Sequence, residues 1–212
     1  MICISIGEAS IADCLRAIEG AECAEIRLDL LATGPEAVER IFSSHPRLIA
    51  TCRPGSLGEE TRAELLIRAI DSGAAFVDVE LEWEGPLRDA VVDRARAAGC
   101  RVIISFHDHE TTPERAELLK IIERSFDRGA DAVKVACRVR SDRENARLLG
   151  LLDDARPLIV IGMGDRGRIT RIAAPLLGSL WTYAAAFPGK ETADGQQDAA
   201  SLARRMKEWA DG

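Results

Sequence analysis

Apolar residues in this chain gather in eight short runs, separated by stretches with a different rhythm. The runs are ICISIG (2–7), AEIRLDL (24–30), RLIATCR (47–53), AFVDVEL (75–81), RVIISFH (101–107), DAVKVAC (131–137), PLIVIGM (157–163) and SLWTYAA (179–185). Their length and β-rich composition predict eight strands. Between them, SIADCLRAIEG, EETRAELLIRAIDSG, GPLRDAVVDRARAAG and TPERAELLKIIERSFDRG repeat apolar residues three or four apart. Each ends in glycine, a common helix stop. Strand and helix in alternation imply parallel strands joined by right-handed crossovers. Eight such units in 212 residues predict an α/β chain of the (β/α)8 class, a TIM barrel, forming one domain over residues 1–212. A doubly wound open sheet is the alternative, but the G-x-G-x-x-G that usually follows its first strand is missing.

Side chains alternate along a strand, so the polar residues can be assigned to faces. In the second run Glu25, Arg27 and Asp29 share one face, and Ile26, Leu28 and Leu30 the other. Thr51 and Arg53 fall together in the third, Asp78 and Glu80 in the fourth, Ser105 and His107 in the fifth. With the aliphatic set against the helices, the charged set points into the barrel. Near the C-terminal mouth such residues read as an active site, and at the floor as a structural ion-pair network.

The sixth run, ADAVKVACRV, places Lys134 among small apolar residues, on one face with Ala132 and Ala136. The space left by the alanines suits a ligand, whereas a pairing with an inward carboxylate would make Lys134 an internal strut. Burial depresses a lysine pKa and a carboxylate neighbour raises it. A lysine with a depressed pKa is a nucleophile toward ketones and aldehydes, giving a Schiff base. His107 ends the fifth strand, where an imidazole is placed for general acid–base work. His45, in SSHPR, reads as part of a surface turn. His107 and His109 form an H-x-H pair, but the two rings are expected to point apart, and no thiolate or carboxylate set completes a metal site. No metal and no organic cofactor are expected.

Composition narrows the class further. Apolar residues make up 47% and charged residues 30%, as in a globular protein. A formal charge of −7 argues against nucleic acid or an anionic membrane as partner, while local arginines still suit an acidic small molecule. Six cysteines, among them Cys3, Cys52, Cys100 and Cys137 in or beside apolar runs, form no C-x-x-C pair and read as buried reduced thiols. That usage, with no signal peptide or spanning segment apparent, suits the cytoplasm.

Taken in order, E-x-R-x-D in EIRLDL, the arginine of TCRP, the histidine of SFHD, the lysine of AVKVA and the segment GMGDRGRITR resemble the type I 3-dehydroquinate dehydratases over nearly the whole chain. The resemblance implies that Lys134 forms a Schiff base with the C3 ketone of 3-dehydroquinate, in the shikimate pathway to the aromatic amino acids. It also implies that His107 removes a C2 proton and protonates the departing C1 hydroxyl. Glu25, Arg27 and Arg53 would hold the substrate's hydroxyls, with Ser5 adding a contact. Arg171 would bind its carboxylate, for which a guanidinium fork is apt, and Met163 would pack over the lysine pocket. A homodimer is a further implication.

The chain departs from the family pattern twice. Four residues beyond Arg53, where the family usually carries the glutamate that orients the histidine, stands Leu57, with Glu59 and Glu60 just after. The family's S-x-P-G-Q loop is AAFPGKETADGQ here, with Ala185 or Ala186 for serine and Lys190 at the glutamine position. Lys190 either meets the anionic substrate or lies in solvent, and Gln196 substitutes if the loop folds differently. Two other readings stay open. One is a catalytically silent relative that binds a carboxylate ligand. The other is a class I aldolase acting on a sugar phosphate through the GMGDRGR loop.

Overall fold

A computed structural model of the chain describes residues 1–7, 10–31 and 34–210. Among these residues eight strands and eight α-helices alternate. The strands are β1 (Ile2–Ile6), β2 (Ala24–Arg27), β3 (Leu48–Thr51), β4 (Phe76–Glu80), β5 (Arg101–Asp108), β6 (Ala132–Arg138), β7 (Leu158–Met163) and β8 (Thr182–Ala185). The helices are α1 (Ile11–Ile18), α2 (Pro35–Phe42), α3 (Glu59–Asp71), α4 (Pro86–Ala98), α5 (Arg115–Asp127), α6 (Asp142–Leu149), α7 (Arg168–Leu176) and α8 (Ala199–Ala210). The chain divides into two compact units, Ile4–Ile103 and Met1–Cys3 with Ile104–Gly212.

In the unit Ile4–Ile103 the strands lie side by side in the order β4, β3, β2, β1, with every recorded pairing parallel. Register aligns Ser5 with Glu25, and Arg27 with Thr51, which in turn neighbours Asp78. The residues between them, Ile26, Ala50 and Val77, are fully buried. All five residues of β4 are buried, so both faces are covered, as in parallel sheets generally. Helix α3 follows the three-and-four rhythm, burying Arg62, Ala63, Leu66, Ala69 and Ile70. Helix α4 starts on Pro86 and ends at Gly99, whose φ of 72° is a left-handed cap that a side chain would strain.

The other unit contains β5, β6, β7 and β8, with β6 and β7 paired in parallel from Val133–Leu158 to Arg138–Met163. Helix α5 buries Leu118, Ile121, Ile122 and Ser125, one face of a 3.6-residue repeat. Helix α6 begins with a capping box, Ser141 and Glu144 satisfying each other's backbone N–H groups. All six cysteines are buried and none is in a disulfide, as the apolar runs implied. Burial pushes the Cys52 and Cys137 thiols up to about 12, so both stay protonated and unreactive.

Element ends differ from the sequence reading in an informative way. β2 stops at Arg27, and Leu28–Leu30 form a 3-10 turn. Asp29 is therefore off the strand, and Leu30, expected in the core, is 44% exposed. The Arg27 guanidinium grips the Asp29 carboxylate at 3.0 and 2.7 Å, and the Arg53 backbone N–H donates to it at 3.0 Å. These three bonds hold the chain in the turn. β3 likewise ends at Thr51, before Arg53. β8 begins at Thr182 rather than 179, because the Ser179 hydroxyl takes the Val160 N–H at 3.2 Å in place of a regular rung.

The turn after β7 packs backbone closely against the strand. The Thr170 hydroxyl accepts from Gly162 N and donates to Gly167 O, both at 2.7 Å. This brings Gly167 so close to β7 that a Cβ there would lie 2.3 Å from the Gly162 carbonyl carbon. Only backbone could give way. Gly167→Ala is expected to cost roughly 3 kcal/mol in urea denaturation. Gly55→Ala, whose Cβ would meet nothing within 4 Å, should change stability by less than about 0.5 kcal/mol.

Candidate active site

Two clusters of polar side chains stand on the strands, one in each unit. In the unit Ile4–Ile103, Glu25 is 4% exposed on β2. Its two oxygens accept from the Ser5 hydroxyl at 2.6 Å and the Thr51 hydroxyl at 3.0 Å. Arg53 is clasped by Asp78 through two bonds of 3.0 and 2.8 Å, and by Glu80 at 2.7 Å. Burial works against the charged form of Arg53, but Asp78 and Glu80 outweigh it and hold its pKa above the ordinary arginine value. The second Glu80 oxygen accepts from Arg62 at 2.6 Å, and the Arg62 guanidinium lies 4.5 Å from the Trp83 ring. Arg62 also donates to the Cys52 carbonyl at 3.1 Å.

Sequence reasoning missed Arg62, although the signal was there. An arginine on the buried stripe of α3, one residue before Ala63 and four before Leu66, has to find an acid indoors. Glu59 and Glu60, candidates for orienting the histidine, are exposed at the start of α3, and Leu57 is half-buried.

In the other unit Lys134 sits within β6, 6% exposed, between Ala132 and Ala136. Its Nζ lies 4.5 Å from the centroid of the Tyr183 ring on β8. The chain's one tyrosine thus presents its negative π face to the amine. Tyr183 was not singled out from sequence; a lone aromatic in an otherwise small-residue strand, TYAA, was the available cue. Ser105 is buried on β5 and His107 follows two residues on, half-buried near the strand end. Contrary to expectation, the rings of His107 and His109 do not point apart. They lie nearly parallel at 11°, with centroids 6.1 Å apart. β5 runs on through Asp108, and residues two apart in an extended chain share a side. The Asp108 carboxylate then accepts from Glu110 N and Thr111 N at 2.9 and 2.8 Å, turning the chain toward α5. His45 bonds the Ala21 carbonyl through Nε2 at 3.1 Å, as part of a turn.

Met163 is buried at the end of β7. Arg171 is 1% exposed, on the buried side of α7. Its Nη atoms donate to the backbone carbonyls of Tyr183 at 3.3 Å and Asp194 at 3.2 Å, and its Nε has no acceptor. Burial lowers its pKa to about 10, which still leaves it a cation at neutral pH. Among the described residues it makes no ion pair, a rare condition for a buried guanidinium. Lys190 is exposed. Gln196 is 6% exposed, its side-chain oxygen accepting from Thr192 N at 2.7 Å and the Thr192 hydroxyl at 3.2 Å. The stretch TADGQ (192–196), with a hydroxyl first and Gly-Gln last, thus follows the S-x-P-G-Q pattern better than FPGK does. Among the described residues no group of three or more His, Cys, Asp or Glu is arranged to hold a metal ion.

Residues 2–208 match the family model described as type I 3-dehydroquinase. The chain belongs to the type I 3-dehydroquinase family. A 3-dehydroquinate dehydratase of Methanococcus maripaludis is 34% identical over 218 residues, covering 98% of this chain and 99% of that one. One from Desulfotalea psychrophila is 35% identical over 212 residues, covering 92% of each. The solved 3-dehydroquinate dehydratase of Aquifex aeolicus superposes with a TM-score of 0.84 at 26% identity, over 99% of this chain and 98% of that one. The type I enzyme of Clostridium difficile, solved with covalently modified comenic acid, gives 0.86 at 24% identity over 99% and 92%. The family's fold is the (β/α)8 class expected from the alternation of strands and helices, and this chain has it.

The Arg27–Asp29 pair makes one pH effect readable. Burial would raise the Asp29 pKa, but the bonds from Arg27 and from Arg53 N hold it below the unfolded value of 3.8. Its stabilisation is therefore complete above pH 3.8 and is lost as pH falls through the lower folded value. The stability advantage of the wild type over Asp29→Asn, measured by urea denaturation, is expected to be full at pH 7 and to shrink at pH 3.

Proposed function

We propose that the chain dehydrates 3-dehydroquinate to 3-dehydroshikimate through an imine on Lys134, without metal or organic cofactor. The observation that carries this reading is Lys134 itself, a buried amine between two alanines with an aromatic face against it, in a chain of this family. Lys134 attacks the C3 ketone and expels water, giving an iminium. His107 removes a proton from C2, and the electron pair left there is drawn into the iminium as an enamine. The enamine then expels the C1 hydroxyl, which His107 protonates as it leaves. Water adds to the imine, freeing the conjugated ketone and the amine, so the net change is loss of one water across C1 and C2.

Arg171 takes the substrate carboxylate in this scheme. A buried cation with an Nε lacking an acceptor and no acid of its own has donor capacity left for an anion. By the family pattern Glu25, Arg27 and Arg53 hold the substrate's hydroxyls and Ser5 assists. Glu25 and Arg53 are already fixed by their own partners, which suits binding without reorganisation. Met163 supplies apolar cover for the lysine. In the late loop we assign the polar contact to Gln196, which is buried and oriented by Thr192, in preference to exposed Lys190. The single domain, a homodimer and a cytoplasmic setting complete the reading. Among the described residues no helix is long and apolar enough to cross a membrane.

Borohydride reduction in the presence of 3-dehydroquinate, followed by peptide mass spectrometry, is expected to place an adduct on Lys134. The enone absorbance of the product should rise in parallel. Lys134→Ala should abolish capture. His107→Ala should still form the adduct while turnover falls about 10²-fold or more. Binding without an adduct would instead point to a silent relative, and adducts formed only with sugar phosphates to an aldolase.

A further inference from the structure

The segment between β8 and α8 is fastened at both ends and at one point between. Near its ends, Ala185 N donates to Gln197 O at 2.8 Å, and Ala185 bridges to Asp198. In between, Asp194 makes three contacts with three different elements. Its carboxylate pairs with Arg138, the last residue of β6. Its carbonyl accepts from Gly164 N, just past β7, at 3.4 Å, and from Arg171 Nη2 on α7 at 3.2 Å. The next residue makes this docking possible. Gly195 has φ +74°, and a Cβ on it would lie 2.6 Å from the Gly164 carbonyl oxygen. No other residue fits there without moving the loop off β7.

Arg171 depends on this arrangement. Of its two Nη acceptors, the Tyr183 carbonyl belongs to β8 and is fixed by that strand, whereas the Asp194 carbonyl belongs to the loop. With one acceptor alone the guanidinium can rotate about its bond to the Tyr183 carbonyl. With both, its plane and the direction of its Nε–H are set. We propose that Asp194 is a positioning residue for substrate capture: clamped by Arg138 and seated on Gly164 through Gly195, it orients the Arg171 guanidinium toward the substrate carboxylate. This rests on the assignment of Arg171 to that carboxylate.

The clamp is weak enough to open and close. Arg138 and Asp194 are 43% and 58% exposed, so their ion pair contributes little to stability. The Gly164 N–H contact is long. Removing the Asp194 side chain therefore loosens the loop without unfolding the protein. It acts on binding, because Arg171 meets the carboxylate in ground state and transition state alike.

The test compares Asp194→Ala, Asp194→Asn, Arg138→Ala, the Arg138→Ala/Asp194→Ala pair and Gly195→Ala with the wild type on 3-dehydroquinate. Asp194→Ala and Arg138→Ala are each expected to raise KM about three- to fivefold with kcat within about twofold, the pattern of lost uniform binding. The double variant should be no worse than either single one, since both remove one contact. Asp194→Asn, which keeps an oxygen for Arg138, should recover most of the loss. Gly195→Ala should exceed them all. Borohydride capture at Lys134 of a cyclic ketone without a carboxylate should be the same in Asp194→Ala as in the wild type. An unchanged KM in Asp194→Ala, additive effects in the double variant, or equal loss with the neutral ketone would overturn the proposal. If the wild type itself forms no adduct with 3-dehydroquinate, the imine reading fails instead, so the two failures are told apart.

Discussion

A strand covered on both faces leaves no water for an ionised side chain, and this chain puts ionised side chains on such strands. Transfer of an unpaired charge into that setting costs several kcal/mol even after relaxation. Each buried charge must therefore find an opposite charge, an acceptor or a ligand. In the unit Ile4–Ile103 the first solution prevails. Arg53 is held by Asp78 and Glu80, Glu80 also receives Arg62, and Arg62 covers Trp83. Every link in that chain fixes the next, so the side chains are rigid before anything binds.

The other unit treats its cations differently. Lys134 lies against an aromatic face, whose quadrupole steadies an ammonium without neutralising it. Arg171 is given two carbonyls, which are dipoles and not charges. A carboxylate beside Arg171 would make a stronger contact and would occupy the guanidinium against the acid proposed to bind there. Partial compensation by neutral dipoles keeps Arg171 in place with donor capacity in reserve.

Much of this was readable before any coordinates. Alternation within AFVDVEL and AVKVACR assigned Asp78, Glu80 and Lys134 to their faces, because a two-residue period survives wherever the strand stays extended. It failed where the strand stopped. Asp29 followed the pattern of EIRLDL on paper, but its bonds to Arg27 and Arg53 N curl the chain after Arg27 and turn Leu30 outward. The H-x-H rings were misjudged for the opposite reason: β5 continues one residue past His107 and keeps them side by side. Arg62 escaped notice because its partner is far away in sequence, and Gln196 stood only as an alternative to Lys190 because its partner lies inside the loop. Helical spacing marks Arg62 as buried without naming Glu80. Nothing local distinguishes Lys190 in FPGK from Gln196 in ADGQ until the loop's own hydrogen bonds are known.

The orphaned Nε of Arg171 carries the last consequence. A buried guanidinium without an ion-pair partner costs the fold stability, and burial is the largest cause of its depressed pKa, with Arg168 adding to it and Asp194 opposing it. On the proposed reading the substrate carboxylate makes that deficit good, so part of its binding free energy is stability that the protein alone lacks. The same reasoning accounts for the use of a loop carbonyl as the second acceptor. A carbonyl from a strand would hold Arg171 equally well whether or not substrate were present. A carbonyl from the segment carrying Asp194 and Gln196 ties the arginine's orientation to the docking of that segment. With Arg171 taking the substrate carboxylate as proposed, binding of that anion and seating of the loop favour one another through the one hydrogen bond from Arg171 to the Asp194 carbonyl.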